Sequence, residues 1–403
     1  MRLRALGILL LLAGFLAAGL TSASPPRPVP SSAPPTEFSA ERALAHLTVI
    51  AARPHPTGSA AAEDVRAYVS AQLRGFGFVV EEQEATAISD TAARARGAPV
   101  IAARVRNLIA RRPGTSPGPG LLLLSHYDSR ELAPGASDDG FGVAALLETA
   151  RALAASPPLR HDVWMVFTDG EEEGLFGARA FFDESPAAKE VGLVLNFEAR
   201  GDRGPTLMFE TSPAAGPLVD VLAREAPHVV ATSISQEVYR RMPNSTDFTI
   251  ALGARVPGLN FSNIDGYERY HQVTDTVANA SLGTLQHHGS YALSLARAFG
   301  DRDFPRPGGE EVYFRLGPLF VHYSAKLALP IAALATFLLL VWARRAVRAG
   351  GATPGRIAAG TLLGVGAIVA GLAASMVLAY IAGRANAALS VPQIRASVRI
   401  TYV

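Results

Sequence analysis

Three short clusters of histidine and acidic residues fall between Leu121 and Gly177. An apolar run, Leu121 to Leu124, stops at Ser125-His126-Tyr127-Asp128. Two adjacent acids follow in Gly135-Ala136-Ser137-Asp138-Asp139-Gly140. A second apolar run, Val163 to Phe167, stops at Asp169-Gly170-Glu171-Glu172-Glu173-Gly174. Further on, Glu198 ends the apolar run from Val191, and His271 sits in Tyr270-His271-Gln272-Val273-Thr274-Asp275-Thr276. The chain has no cysteine, so disulfides and thiolate ligands are excluded. A metal must then be held by imidazole and carboxylate, which favours zinc, manganese or a similar ion. His126, Asp138, Glu172, Glu198 and His271 suit a pair of ions that activate one water: one histidine and one terminal carboxylate for each, and one carboxylate shared. One more acid must stand free to move the proton, and Glu171, next to Glu172, is placed for it. Asp128, two residues beyond His126, points the same way on an extended segment and is expected to hold the imidazole N–H.

These residues need a scaffold that brings strand ends together. Phe78 to Val80, Val105 to Ala110, Leu121 to Leu124, Asp162 to Thr168, Val191 to Glu198, Leu207 to Glu210 and Pro257 to Phe261 read as strands. Helical spacing marks Ser39 to Ile50, Ala60 to Leu73, Gly140 to Leu153, Gly174 to Phe182, Pro217 to Arg224 and Leu282 to Phe299. Strands alternating with helices predict an α/β fold, a mostly parallel central sheet covered on both faces. In such sheets ligands bind beyond the carboxyl ends of the strands, where the clusters lie.

The net charge of +2 is too small to suggest nucleic acid, and the 49% hydrophobic fraction supplies a large core. Residues 1–23 carry Arg2 and Arg4 before an apolar run, the pattern of a signal peptide or a retained signal anchor. Residues 24–38, rich in Pro and Ser, read as a linker to a catalytic domain over 39–304. After a second linker, 305–315, two apolar stretches at 316–343 and 357–383 predict a transmembrane hairpin, with a short tail at 384–403. The loop between them, 344–356, carries Arg344, Arg345, Arg348 and Arg356 and is expected on the cytoplasmic side. That places the catalytic domain on the outer side of the membrane, the periplasmic side of the bacterial cell membrane expected for it; the bias to Arg with abundant Ala looks like a GC-rich genome more than a binding device.

The five motifs, in this order, resemble those of the di-zinc aminopeptidase family, which includes secreted bacterial leucyl aminopeptidases and vacuolar aminopeptidase Y. The resemblance covers about residues 40 to 300 and implies the zinc-exopeptidase, phosphorylase/hydrolase-like fold. It implies that His126, Asp138 and Glu198 hold one zinc and that Asp138, Glu172 and His271 hold the other, with Asp138 shared. It makes Glu171 the general base and gives Tyr270 a hydrogen bond to the tetrahedral oxyanion. The soluble aminopeptidases usually have Asp where this chain has Glu198. Asn196-Phe197-Glu198-Ala199-Arg200-Gly201 is more similar to the branch with membrane tails, the vacuolar membrane protease and the endoplasmic reticulum metallopeptidases.

The expected activity is a membrane-anchored zinc exopeptidase, foremost an aminopeptidase, acting on peptides. A carboxypeptidase or a one-zinc glutaminyl cyclase on the same fold is the enzymatic alternative, and an inactive binding module the alternative of another class. Asn244-Ser245-Thr246-Asp247-Phe248 resembles the family's pocket-lining Ser-Asp segment, with a structural turn as an equal reading for Asp247. Arg200, Arg240 and Arg241 could meet a peptide carboxylate, though a surface role is the plainer reading. His55 lies in a loop able to face the cleft. His46, His161, His228, His287 and His288 show no partner pattern and read as surface or helix residues.

Overall fold

A computed structural model describes residues 24–89 and 101–389, with Gly7, Ala13, Gly14 and Gly19. The expected signal segment and the end of the expected tail lie almost wholly outside the described residues. The chain divides into two compact units, Met1–Lys326 and Leu327–Val403.

In the first unit the order is α1 (Ala40–Ile50), α2 (Ala60–Gly75), β1 (Val79–Ser89), β2 (Ile101–Arg112), β3 (Gly120–His126), α3 (Gly140–Ala154), β4 (Val163–Thr168), α4 (Glu171–Gly174), α5 (Phe176–Glu184), β5 (Val191–Ala199), β6 (Leu207–Thr211), α6 (Gly216–Glu225), α7 (Ser233–Tyr239), α8 (Asp247–Gly253), β7 (Gly258–Asn263), α9 (Leu282–Gly300), β8 (Glu311–Leu316) and β9 (Leu319–Ser324). Seven strands form one sheet, ordered β1-β2-β4-β3-β5-β7-β6. The central four, β4, β3, β5 and β7, are parallel, and the strands outside them are antiparallel.

Parallel strands covered on both faces read as unbroken apolar runs, because neither face meets water. Leu121 to Leu124 is such a run. Leu121 and Leu123 join the core on one face, and Leu122 and Leu124 the core on the other. All four are fully buried, and each such side chain contributes roughly 1.5–3 kcal/mol of burial. On the first face the Glu148 carboxylate of α3, also fully buried, pairs with Arg42 of α1 at 2.8 Å and Arg151 of α3 at 2.6 Å.

Several expectations are corrected. Residues 24–38 do not hang free: the Val29 N–H donates to Gln286 Oε1 at 2.9 Å and Ser39 Oγ donates to Val29 O at 2.8 Å, tying the stretch to α1 and α9. The helix expected over Gly174 to Phe182 starts at Phe176 as α5, because Leu175, with a left-handed φ of 60, separates it from the short α4. α7 and α8, both seven residues long, are too short to leave a periodic signal. Residues 305–310 carry no regular structure, but residues 311–324 are neither linker nor membrane helix. They form the hairpin β8–β9, turned at Gly317-Pro318, where Gly317 supplies a φ of 59 that suits a two-residue hairpin turn. Of the histidines read as surface or helix residues, His46, His287 and His288 do lie on helices but are buried there, and His161 is buried outside any helix.

The second unit holds α10 (Ala328–Arg348) and α11 (Pro354–Leu389). The first apolar stretch therefore starts its α-helix at Ala328 rather than at residue 316, because the preceding residues alternate and pair as a strand. Ala325–Arg348 and Pro354–Ala374 are long and apolar enough to cross a membrane, with mean hydropathy of 2.0 and 2.1.

Candidate metal centre

Strand register puts the first ligands side by side. Leu124 pairs with Asn196, so His126 at the end of β3 lies level with Glu198 at the end of β5. His126 also pairs with Thr168, the last residue of β4, and the next turn carries Glu171 and Glu172. Gly170 makes that turn with a φ of 77, a conformation glycine adopts without a Cβ clash. Between β3 and α3 the chain bends at Gly135, φ 68, where a Cβ would lie 2.8 Å from the Asp138 carbonyl oxygen and 2.8 Å from Ser129 Cβ. The peptide between Asp138 and Asp139 is cis. His271 follows β7 and is itself left-handed, φ 60.

Two triads result. His126, Asp138 and Glu198 form one, and Asp138, Glu172 and His271 the other; in each, the ligand atoms lie within 4.8 Å of one another. His126 Nε2 is 3.4 Å from Asp138 Oδ1 and 3.7 Å from Glu198 Oε2. His271 Nε2 is 3.1 Å from Asp138 Oδ2 and 3.0 Å from Glu172 Oε2. Asp138 thus faces both histidines through different oxygens. His126 Nε2, Asp138 Oδ2, Glu172 Oε1 and His271 Nε2 are buried and lack hydrogen-bond partners, a condition a cation among them would relieve. The donors are all nitrogen and oxygen, a set zinc accepts. The residues present therefore fit divalent metal.

The charges say the same. Burial, and then the nearby Glu198, push the Glu171 carboxyl well above its usual range. Burial and the Asp138 charge raise Glu172 to about 7. Burial, with Asp139 and Asp138 adding to it, raises Glu198 although His126 opposes. Burial works against a charged Asp138 too, but His126 and His271 hold its carboxyl well below the usual range. Burial would lower His271, yet Asp138 and Glu172 raise it to about 9. So many carboxylates in a dry space require positive charge, which protons or a metal would supply.

Supporting residues orient the donors. Asp128 accepts from the Glu171 N–H at 3.1 Å and the Glu172 N–H at 3.2 Å, which fixes the start of α4. Its carboxylate lies 3.5 Å from His126 Nδ1, but the closer partner of that nitrogen, at 3.0 Å, is its backbone carbonyl. The expected carboxylate–imidazole contact is thus secondary. Asp139 does not face the triads: it caps α3 by accepting from Gly142 N at 3.1 Å and takes the Ser125 hydroxyl at 2.5 Å. Asn196 Nδ2 donates to Glu198 Oε1 at 3.4 Å and to Asn260 Oδ1 at 2.9 Å, and Asn260 Nδ2 donates to Glu210 Oε2 at 3.0 Å. Tyr270 stacks on His271, ring centroids 3.6 Å apart. Asp247 begins α8 and takes the Thr168 hydroxyl, the structural reading of that acid. His55 is buried in the loop beside the site, with Nδ1 2.9 Å from Arg53 O.

Sequence reasoning missed Arg130 and Asp275. Arg130 Nε lies 3.0 Å from Glu172 Oε2. Asp275 accepts from Ser137 N at 2.8 Å and Asp138 N at 3.2 Å, holding the loop that presents Asp138. Its place four residues after His271, in the same turn-rich segment, was the available signal. Nothing in the local pattern marks Arg130.

Residues 107–296 match the sequence model of Peptidase family M28. Endoplasmic reticulum metallopeptidase 1 of Rattus norvegicus is 32% identical over 216 residues, 51% of this chain and 24% of its own length. The vacuolar membrane protease of Candida dubliniensis is 29% identical over 297 residues, 72% of this chain and 31% of its own length. The chain thus spans between about a quarter and a third of the length of these relatives. Among solved structures, a zinc aminopeptidase from Bacillus subtilis has a TM-score of 0.54 at 16% identity, covering 67% of this chain and 97% of its own. The glutaminyl cyclase of Porphyromonas gingivalis has a TM-score of 0.52 at 20% identity, covering 64% and 96%. At these identities the likeness is one of fold.

Proposed function

We propose that this chain, whose matched residues form a Peptidase family M28 domain, is a membrane-anchored zinc exopeptidase that removes N-terminal residues from peptides. The observation that carries the reading is the pair of triads sharing Asp138, with Glu171 set against them. His126, Asp138 and Glu198 would hold one ion, and Asp138, Glu172 and His271 the second. Bound there, divalent ions lower the pKa of a water and polarise the scissile carbonyl. Glu171 accepts the proton of the attacking water and delivers it to the departing amine. Its environment keeps the carboxyl from being a weak acceptor, since burial and neighbouring acids raise its proton affinity. Tyr270, stacked on His271, presents its hydroxyl towards the oxyanion of the tetrahedral species. The acids at the site receive the substrate's free amine. Asp128 holds the Glu171–Glu172 turn and, through its carbonyl, the ring of His126.

Two complete triads support two ions over the single ion of a cyclase. The test is metal content of the detergent-purified full chain, with hydrolysis of free and N-blocked peptides in the same preparation. Two zinc ions per chain and cleavage that requires a free amine are expected. One zinc without peptide cleavage would favour the cyclase, and folded protein with neither metal nor activity would leave the inactive module.

A further inference from the structure

Arg200 directly follows β5, two residues after Glu198, and lines a small depression with Ser137, Asp138, Gly201, Arg269, Tyr270 and Asp275. Its guanidinium carbon lies 5.3 Å from the centre of the Tyr270 ring. That ring in turn stacks on His271 at 3.6 Å. The Asn244 amide, with its oxygen turned to Arg200, accepts from Nη1 at 2.8 Å and Nη2 at 3.2 Å. The guanidinium is therefore fixed by a face and an edge, while most of its five N–H donors stay free. Arg269, the other cation in the depression, is already neutralised by Asp202 at 2.5 Å. Arg130 is paired with Glu172. Among the described residues no carboxylate lies within ion-pair distance of Arg200, although the site around it is crowded with acids. An oriented, unpaired guanidinium beside the triads matches a carboxylate, which meets its planar fork through two parallel hydrogen bonds.

Distance restricts whose carboxylate this is. One extended residue spans about 3.3–3.6 Å. The steps from the His271 ring to the Tyr270 ring, 3.6 Å, and from there to the guanidinium, 5.3 Å, set an upper limit on the separation that one or two residues past the cleaved bond would span. We propose that Arg200, oriented by Asn244 on the face of Tyr270, receives the C-terminal carboxylate of di- and tripeptides. The inference rests on the exopeptidase reading and narrows its substrates to short peptides with a free terminus at each end.

The experiment compares Leu-Gly with Leu-Gly-amide, and Leu-Gly-Gly with its amide, on the zinc-loaded full chain and on Arg200→Met and Arg200→Lys. The parent is expected to prefer the free acids by about 10- to 100-fold in kcat/KM, as for a charge-assisted pair. Arg200→Met should bring the acid-to-amide ratio close to one, and Arg200→Lys should restore part of it. Calorimetric binding of Leu-Gly with its peptide bond reduced to a methylene-amine reads the same ratio without turnover. Equal treatment of acid and amide by the parent, or an unchanged ratio in Arg200→Met, overturns the proposal. Cleavage of Leu-Gly-amide as fast as Leu-Gly would sink Arg200 and leave the aminopeptidase intact. Cleavage of N-blocked free acids, with a ratio that depends on Arg200, would do the reverse.

Discussion

Replacing Glu171 by glutamine removes a proton acceptor and leaves its volume in place. A general base contributes about 10²- to 10⁴-fold, so kcat should fall by that factor in Glu171→Gln while zinc content is kept. Activity equal to the parent's would remove Glu171 from the reaction. Asp128 predicts a different pattern, because it acts through its neighbours. Asp128→Asn replaces one of the two acceptor oxygens that hold the N–H groups of Glu171 and Glu172 by an amide that donates. Its zinc affinity should drop by about 10- to 100-fold in chelator competition, as expected for outer partners of metal ligands, and an unchanged affinity would show that the turn holds without it. Of the residues around the triads, most donors were legible because His126, the Glu171-Glu172 pair and Glu198 lie where apolar runs stop, and Asp138-Asp139 sits in a short loop closed by glycines. Arg130 and Asp275 were not, since their roles come from loops that meet only in three dimensions.

Among the elements, α9 carries a measurable liability. His287 and His288 are buried on it, and burial lowers both from 6.5 to about 3. His288 Nε2 donates to Asn263 Oδ1 at 2.9 Å, and His287 Nδ1 accepts from Thr206 N at 3.0 Å, so both rings are used as neutral groups. The unfolded chain binds protons at these positions that the folded one refuses. Stability should therefore fall as pH drops below about 6.5 and go on falling towards pH 3, by at most roughly 1.4 kcal/mol per pH unit for each histidine. Melting at pH 7.5 and 5.0 checks this: His288→Gln should lose less on acidification than the parent, and an equal loss would acquit His288. The strands that carry ligands were readable from their four- to eight-residue apolar runs. The hairpin β8–β9 was not, because its apolar residues run directly into those of α10, and hydropathy alone does not separate a strand from the start of a membrane helix.

For the whole chain, Ala325–Arg348 and Pro354–Ala374 predict an integral membrane protein. The full-length chain should stay with the membrane through an alkaline carbonate wash, and release by that wash would refute anchoring by these helices. Reporter fusions between Arg348 and Pro354 should read as cytoplasmic under the positive-inside rule, and an outward reading would invert the proposed sidedness. The order of the ligands along the chain adds a matter of timing. The first triad is complete only when Glu198 has been made, and the second only with His271, close to the end of the folded unit. A chain made only as far as Glu172 holds the base and three of the five donors but no complete triad. The proposed peptidase would stay inert towards its own unfinished neighbours until most of its catalytic unit exists.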